Sequence, residues 1–358
     1  IVAETIAFEI PLKKVTENIS VLELFHGPTL AFKDVGARFM SRCLGYFLKN
    51  ETRKVTVLVA TSGDTGGAVA NGFYDVEGIE VVILYPKNRV SPVQEKQLTA
   101  LGKNIHALEV NGSFDDCQAL VKQAFSDESL NEKLLLTSAN SINVARWLPQ
   151  QIYYVLALKQ WLKNNSENPV ICVPSGNFGN ICAGILAHHR GLPVEHFIAA
   201  CNVNDVVPEY LRTEILKPKE TVATISNAMD VGDPSNFVRI LELFEKEFNQ
   251  VKSKLSGYTI DDEETLKTIE RVEKDYGYVL DPHGAVAFVA LEKYLAENGG
   301  KGFFLETAHP VKFPDSVEKA TGKSVEIPKS LEELMRQEKF TTEINPQYEE
   351  LKEFLLKK

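Results

Sequence analysis

The sequence predicts an α/β protein of two domains, each a mostly parallel, twisted sheet flanked by helices. Short apolar, β-branched runs alternate with longer helical patterns along the 358 residues, the order that builds parallel sheets covered on both faces. Two glycine-rich stretches, residues 61–67 and 175–180, each follow such a run and precede a helical pattern. The carboxyl ends of parallel strands are where open α/β sheets bind ligands. The length suits two domains of ordinary size.

In chain order, an apolar pair, Val21 and Leu22, leads into the segment 24–34, which carries Lys33 among Leu30, Ala31 and Phe32. A helix is expected from Gly36 through Phe47 to about Asn50. The runs 55–60, 81–85, 105–110, 170–174 and 196–201 read as buried parallel strands. Ser91, Pro92 and Gln94 open a helix with a cap, a first-position proline and a capping-box glutamine, and Gly102 closes it. Ser113 caps a helix over 114–125. Residues 143–163 read as one long apolar helix, kinked at Pro149, with Trp147, Tyr153, Tyr154 and Trp161 as core. Small-residue or apolar helices are expected at 68–74, from 180 to Arg190, and at 284–298. Charged surface helices are expected at 236–254 and 262–276, and a last strand at 303–305. The polar break at 164–169 is the clearest boundary. It separates a smaller domain, 33–163, from a larger one, 1–32 and 164–330. The charged stretch 331–358 is expected to be a helical tail with no catalytic part.

The composition is that of a water-soluble globular chain, 44% hydrophobic and 25% charged. A net charge of −10 argues against non-specific nucleic-acid binding, which needs a basic surface. No apolar run approaches the length of a membrane span. The five cysteines, Cys43, Cys117, Cys172, Cys182 and Cys201, contain no C-x-x-C pair. Neither a disulfide framework nor a zinc site is indicated, and no metal is expected. With no signal peptide visible, a reducing, cytoplasmic location is expected. The chain begins at Ile1 rather than methionine, which is consistent with a preceding segment.

Lys33 is the residue on which the chemistry turns. A lysine is ordinarily a solvated surface residue. An apolar pocket favours the neutral amine that Schiff-base chemistry needs, and Gly27 and Pro28 give the preceding turn a defined shape. The expectation is that Lys33 holds an aldehyde cofactor. Residues 175–180 can fold so that amide N–H groups and a helix N-terminus face one anion; a plain strand-to-helix turn remains the alternative. The stretch 61–67 has the same context, with Ser62, Asp64 and Thr65 beside exposed amides, suited to a substrate carboxylate or phosphate or to a simple helix start. Asn140, Ser141, Asn143 and Arg146 form either a phosphate clamp or an N-capping cluster with a surface arginine. Thr307 ends a strand, where its hydroxyl could meet a ring nitrogen or be structural. His26 and His309 lie within these motifs without an assigned role, and His188 and His189 read as surface.

Four motifs in order, residues 22–34, 60–66, 173–179 and 307–310, together resemble the threonine synthase family, pyridoxal-phosphate enzymes of the tryptophan-synthase-β-like fold, PLP fold type II. The resemblance runs over about residues 20–330. It implies pyridoxal 5'-phosphate as cofactor, bound covalently by Lys33. Gly176, Asn177, Phe178, Gly179 and Asn180 are then the cofactor-phosphate loop and Thr307 the partner of the pyridine nitrogen. A neutral hydroxyl there leaves that nitrogen largely unprotonated. Ser62, Gly63, Asp64 and Thr65 resemble the substrate-anion loop. Asn140, Ser141 and Arg146 resemble residues that hold the substrate phosphate. Asn180 stands where many relatives carry aspartate, and the family's usual N-terminal region does not precede Ile1.

The reaction implied is O-phospho-L-homoserine plus water giving L-threonine plus phosphate, a carbon–oxygen lyase reaction acting on phosphates. Lys33 is the general base at the α-carbon and also serves the β-carbon. The smaller domain is expected to be the mobile, substrate-binding one and the larger to hold the cofactor, the smaller closing over the substrate. The chain is expected to be a monomer or homodimer with no nucleic-acid or membrane partner. Two rivals stand beside this reading. One is another fold-type-II lyase or dehydratase acting on a phosphorylated or hydroxy amino acid. The other is a non-catalytic protein that binds a phosphorylated amino acid.

Overall fold

The computed structural model describes residues 1–49 and 53–357. Its strands are β1 Leu12–Lys14, β2 Ile19–Glu23, β3 Val55–Ala60, β4 Ile79–Pro86, β5 Ile105–Val110, β6 Leu135–Ser138, β7 Val170–Pro174, β8 His196–Cys201, β9 Leu255–Thr259, β10 Gly302–Glu306 and β11 Thr342–Ile344. They form two sheets, in the orders β11-β5-β4-β3-β6 and β1-β2-β10-β7-β8-β9. Every pairing is parallel except β1 with β2. The predicted fold class is therefore the observed one.

One compact unit comprises residues 1–7, 33–146 and 327–358. Its central strands are buried on both faces because successive side chains alternate between two apolar layers. Val57, Val59, Val81 and Ile83 pack with Ala37 and Met40 of helix Lys33–Phe47 and with Val69 and Phe73 of helix Asp64–Phe73. Leu58, Val82, Leu84 and Leu108 pack on the other side with Leu120 and Ala124 of helix Phe114–Ser126. Helix Pro92–Thr99 opens on the Ser91 and Gln94 capping box, as the spacing predicts. The expected end of the first helix near Asn50 lies outside the described residues.

The stretch 331–358 is not a separate helical tail. β11 adds a parallel strand to β5. Leu351 and Leu355, on helix Tyr348–Leu356, complete the apolar layer over Leu108 and Leu120. Lys352 and the Tyr348 hydroxyl both bond Asp127, at 2.6 Å each.

The other unit comprises residues 8–32 and 147–326. The apolar helix Pro282–Asn298 supplies the centre of its core: Val286, Phe288 and Ala290 pack against Cys172, Ile198 and Phe304. Residues 147–163, expected in the smaller domain, group here. The helix Gln151–Trp161 is tied to this unit by Tyr154, whose hydroxyl donates to Asn180, and by Trp161, whose ring lies 5.9 Å from that of Phe303. Pro149, which has no N–H to donate, does more than kink the expected long helix. It interrupts it with a 3-10 turn, Leu148–Gln150, after the short helix Val144–Trp147. The expected helix over 236–254 is likewise divided, into Phe237–Leu243 and Phe248–Lys254, with Glu245 and Lys246 at positive φ between them. All five cysteines are free thiols, and no helix of the described residues is long and apolar enough to cross a membrane.

His196 on β8 gives this unit a pH-dependent stability. Its Nε2 bonds the Ser256 hydroxyl at 2.8 Å and its ring stacks on Tyr294 at 5.0 Å. Burial, then the Lys254 charge, pushes its pKa down from 6.5 to about 4. Between those values the unfolded chain binds the extra proton. The stabilisation is thus complete above about pH 6.5 and is lost as pH falls toward 4, by at most about 3 kcal/mol. His196→Gln is expected to flatten the denaturation midpoint across that window; an unchanged slope would reject the assignment.

Candidate active site

In the unit that contains Lys33, this lysine is the first residue of its helix, and its side chain is 17% exposed. Its Nζ lies 4.0 Å from Oδ2 of Asp64. Asp64 in turn begins helix Asp64–Phe73, and its Oδ1 accepts from Gln94 Nε2 at 2.9 Å. Thr61 shapes the turn before that helix: its hydroxyl accepts from the N–H groups of Gly63 and Gly66, at 3.0 and 2.9 Å. Gly63 has φ +138°, and a Cβ there would stand 2.5 Å from the Gln94 amide, so both backbone and space require glycine. The hydroxyls of Ser62 and Thr65 are half-buried and have no protein partner among the described residues. The N-cap residue of helix Asp64–Phe73 is Gly63, which has no side chain to offer, and Thr61 meets only the Gly66 N–H of its first turn. Two spare hydroxyl donors at such a helix start suit an anion. Asp64 is different within this loop: its carboxylate faces the lysine and Gln94.

Asn140 and Arg146 are tied to backbone. The Asn140 amide donates to the Ala60 carbonyl at 2.9 Å, fixing the end of β3. Arg146 is buried and donates to the Ala139 carbonyl. Asn143, expected to share a face with Arg146, caps instead: its amide donates to Ser138 O and its Oδ1 accepts from Ala145 N–H. Ser141 is half-buried beside them. Gly36 lies so close that a Cβ would overlap the Arg146 carbonyl oxygen.

In the other unit, β7 ends at the stretch 175–178, and helix Gly179–His189 begins there without a side-chain cap. Phe178 turns the chain into the helix at φ 61°, strain typical of functional loops. Gly176 rests on the backbone of Met229, where a Cβ would be 2.6 Å from Met229 Cα. Ser175 bonds its own strand, donating to Val173 O. Asn177 is held by Ser235, whose N–H and hydroxyl donate to its Oδ1 at 2.7 and 2.9 Å, and by the Asn236 amide, which donates to its carbonyl. Asn180 is the informative residue. Its Oδ1 accepts from Tyr154, while its Nδ2 is buried with no partner among the described residues. A buried donor left unmade is costly. A donor so placed at a helix start suits an acceptor from outside the chain, such as a phosphate oxygen.

Thr307 follows β10, is buried, and its hydroxyl likewise has no protein partner among the described residues. Its carbonyl accepts from the N–H of Phe32 at 2.8 Å, and Phe32 is the residue immediately before Lys33. His309 N–H donates to Leu30 O, and the fully buried Lys312 Nζ donates to Thr29 O at 2.9 Å. The turn leading to the lysine is thus latched to residues 307–312. His26 pairs with Glu23 at 2.7 Å. His309 Nδ1 accepts from Val311 N–H, and burial, then the neighbouring His26, pushes its pKa down. Within the unit of residues 8–32 and 147–326, a helix start without a side-chain cap, a spare buried amide and a spare threonine hydroxyl fit a phosphate and a ring nitrogen. Taken by itself in its own unit, the Lys33 amine fits an aldehyde.

Several supporting residues were outside the sequence expectation. They are Gln94 behind Asp64, Ser235 and Asn236 behind Asn177, and a buried group at the start of helix Pro282–Asn298. There Asp281 caps Gly284 N–H, and its Oδ2 lies 2.6 Å from His283 Nδ1. Asp281 N–H donates to Glu306 Oε1 at 2.7 Å. Burial, then the Asp281 charge, pushes the Glu306 carboxyl well above the usual range. An aspartate cap followed by proline at 281–282 was a readable helix start, two residues ahead of the one expected.

The description "pyridoxal-phosphate dependent enzyme" belongs to a family model matching residues 9–303, and "threonine synthase, C-terminal" to one matching residues 284–355. The chain is 47% identical over 358 residues to a threonine synthase of Buchnera aphidicola, covering 100% of this chain and 82% of that protein. The crystal structure of Escherichia coli threonine synthase superposes with a TM-score of 0.91 at 46% identity, over 99% of this chain and 82% of that one. PLP-bound threonine synthase from Brucella melitensis superposes with a TM-score of 0.91 at 36% identity, over 99% and 82%.

Proposed function

This chain belongs to the threonine synthase family, PLP-dependent lyases of fold type II, and we propose that it converts O-phospho-L-homoserine and water to L-threonine and phosphate, with Lys33 as its catalytic lysine. The observation that carries the reading is the placement of Lys33. It is a partly buried amine beside the Asp64 carboxylate, at the end of a turn latched to Thr307 through Phe32.

When bound, pyridoxal phosphate supplies a conjugated ring that delocalises the electron pair of a broken Cα–H bond. Lys33 would hold its aldehyde carbon. Gly176, Asn177, Phe178, Gly179 and Asn180 would take its phosphate, with Asn180 Nδ2 finding there the acceptor it lacks. Thr307 would meet the ring nitrogen with a neutral hydroxyl. The amine of Lys33 would accept the proton from the substrate α-carbon and serve the β-carbon in turn. Asp64 Oδ2 orients that amine. Ser62, Gly63 and Thr65 offer hydroxyls and helix-start amides to the substrate carboxylate. Asn140, Ser141 and Arg146 line the substrate phosphate, Arg146 with its guanidinium anchored to the Ala139 carbonyl. Fixing both substrate anions aligns the bonds to be broken. Free, mostly buried thiols support a cytoplasmic setting.

The test is product analysis with O-phospho-L-homoserine. Threonine and inorganic phosphate are expected in equal amounts. Phosphate with 2-oxobutyrate would assign a dehydratase-like lyase instead, and a folded protein that never develops a cofactor absorption band would return the binding-protein reading.

A further inference from the structure

The loop at 175–180 does not hold itself in shape. The stretch 226–236, which has no part in the proposed chemistry, lies behind it. Met229 backbone supports Gly176, and Ser235 and Asn236 make three hydrogen bonds to Asn177. That stretch is in turn anchored at its far side. The N–H of Ala228 donates to Nε2 of His283 at 3.2 Å, and His283 Nδ1 lies 2.6 Å from Asp281 Oδ2. Both members of the dyad are buried, at 3% and 0% exposure. Asp281 is fixed by Gly284 N–H and by its own N–H to Glu306. Asn202 adds a second anchor, donating to the Ser226 hydroxyl at 3.2 Å and to Asp230 at 2.8 Å.

The chemistry of the imidazole makes the arrangement directional. A nitrogen that accepts from a backbone N–H carries no proton, so the ring proton is on Nδ1 and is donated to Asp281. A carboxylate that fixes the tautomer of a histidine, which in turn accepts a backbone amide, sets the position of that amide. We propose that His283 is a positioning residue for the anion-binding loop, acting through the backbone of 228–229 onto Gly176. Without the Nε2 acceptor, Ala228 N–H is an orphaned donor. The stretch then shifts toward another partner, and the loop loses its backing.

This rests on the reading of 176–180 as the cofactor-phosphate site, and the test separates the two. Apoprotein is titrated with pyridoxal phosphate and with pyridoxal, which lacks the phosphate. The ratio of the two affinities isolates the loop, because general destabilisation weakens both ligands alike. Asn180→Leu tests the loop itself and is expected to lower the ratio about tenfold. His283→Leu is expected to lower it by about tenfold as well, whereas His283→Gln, whose amide can accept from Ala228 and donate to Asp281, stays within about threefold of the parent. The exposed Ser235→Ala, which folds whether or not His283→Leu does, is expected to lower the ratio about threefold. A ratio that falls in Asn180→Leu but not in His283→Leu or Ser235→Ala overturns the brace and leaves the loop assignment standing. A ratio unchanged in Asn180→Leu overturns both.

Discussion

Lys33→Ala is expected to lower turnover by about 10³-fold or more, because the proposed role of Lys33 is to be both the covalent attachment point and the group that moves the α-proton. The fold is expected to survive. Lys33 is the first residue of its helix, and its side chain is no part of the apolar layer formed by Ala37 and Met40. The variant with cofactor should lack a borohydride-sensitive band near roughly 410–420 nm, while the parent shows it. Lys33→Arg should not restore the band, since a guanidinium is too weak a nucleophile to condense with an aldehyde. A band that persists in Lys33→Ala and is fixed by borohydride would move the attachment to another lysine and sink the assignment.

Gly176→Ala is the second large effect. Its added Cβ would stand 2.6 Å from Met229 Cα and 3.0 Å from the Met229 carbonyl carbon and oxygen. These are backbone atoms and cannot rotate aside. Either the loop or its support moves, at about 1–3 kcal/mol, which corresponds to roughly tenfold to hundredfold weaker cofactor retention. Gly179→Ala is the internal control. Its Cβ would meet Asn236 and Trp147 side chains only at an ordinary 3.5 Å, and retention should change by less than about threefold. Equilibrium dialysis of the cofactor separates the two, and equal losses would mean that steric support of the loop is not what holds the anion.

The parts of this architecture that were legible in the sequence are those whose signal is local. β3, β5, β7 and β8 coincide with their apolar runs to the residue, because strands with neighbours on both sides are apolar at nearly every position. β9 and β11 are edge strands with one partner each. Leu255-Ser256-Gly257-Tyr258-Thr259 has little to bury, so nothing in its composition marked it. The glycine loops and Lys33 were visible because tight turns and an isolated amine leave a compositional trace. For Thr307 the strand end left a ring-nitrogen partner and a structural hydroxyl both open, and only the resemblance chose between them. The supports behind the loops left no trace: Asn177 depends on residues 58 and 59 positions away, and Ala228 on one 55 positions away. The unit boundary was misplaced for a related reason. The polar break at 164–169 is only the turn joining Gln151–Trp161 to β7. The division at Trp147 falls inside an apolar stretch that reads as continuous helix.

One of the two units is assembled from three stretches far apart in sequence, the last being 327–358. The other is complete by residue 326. During synthesis β5 is therefore the open border of its sheet, with the backbone groups that later pair with Thr342–Ile344 unmet. Leu108, Leu120 and Ala124 meanwhile wait for Leu351 and Leu355. Open strand borders with bare apolar neighbours are what nascent chains stick by. The short C-terminal strand and helix thus act as a late closure. A ribosome that stalls before residues 327–358 are made releases a chain whose lysine-bearing unit is unfinished and adhesive, a form suited to capture by chaperones and removal by proteases.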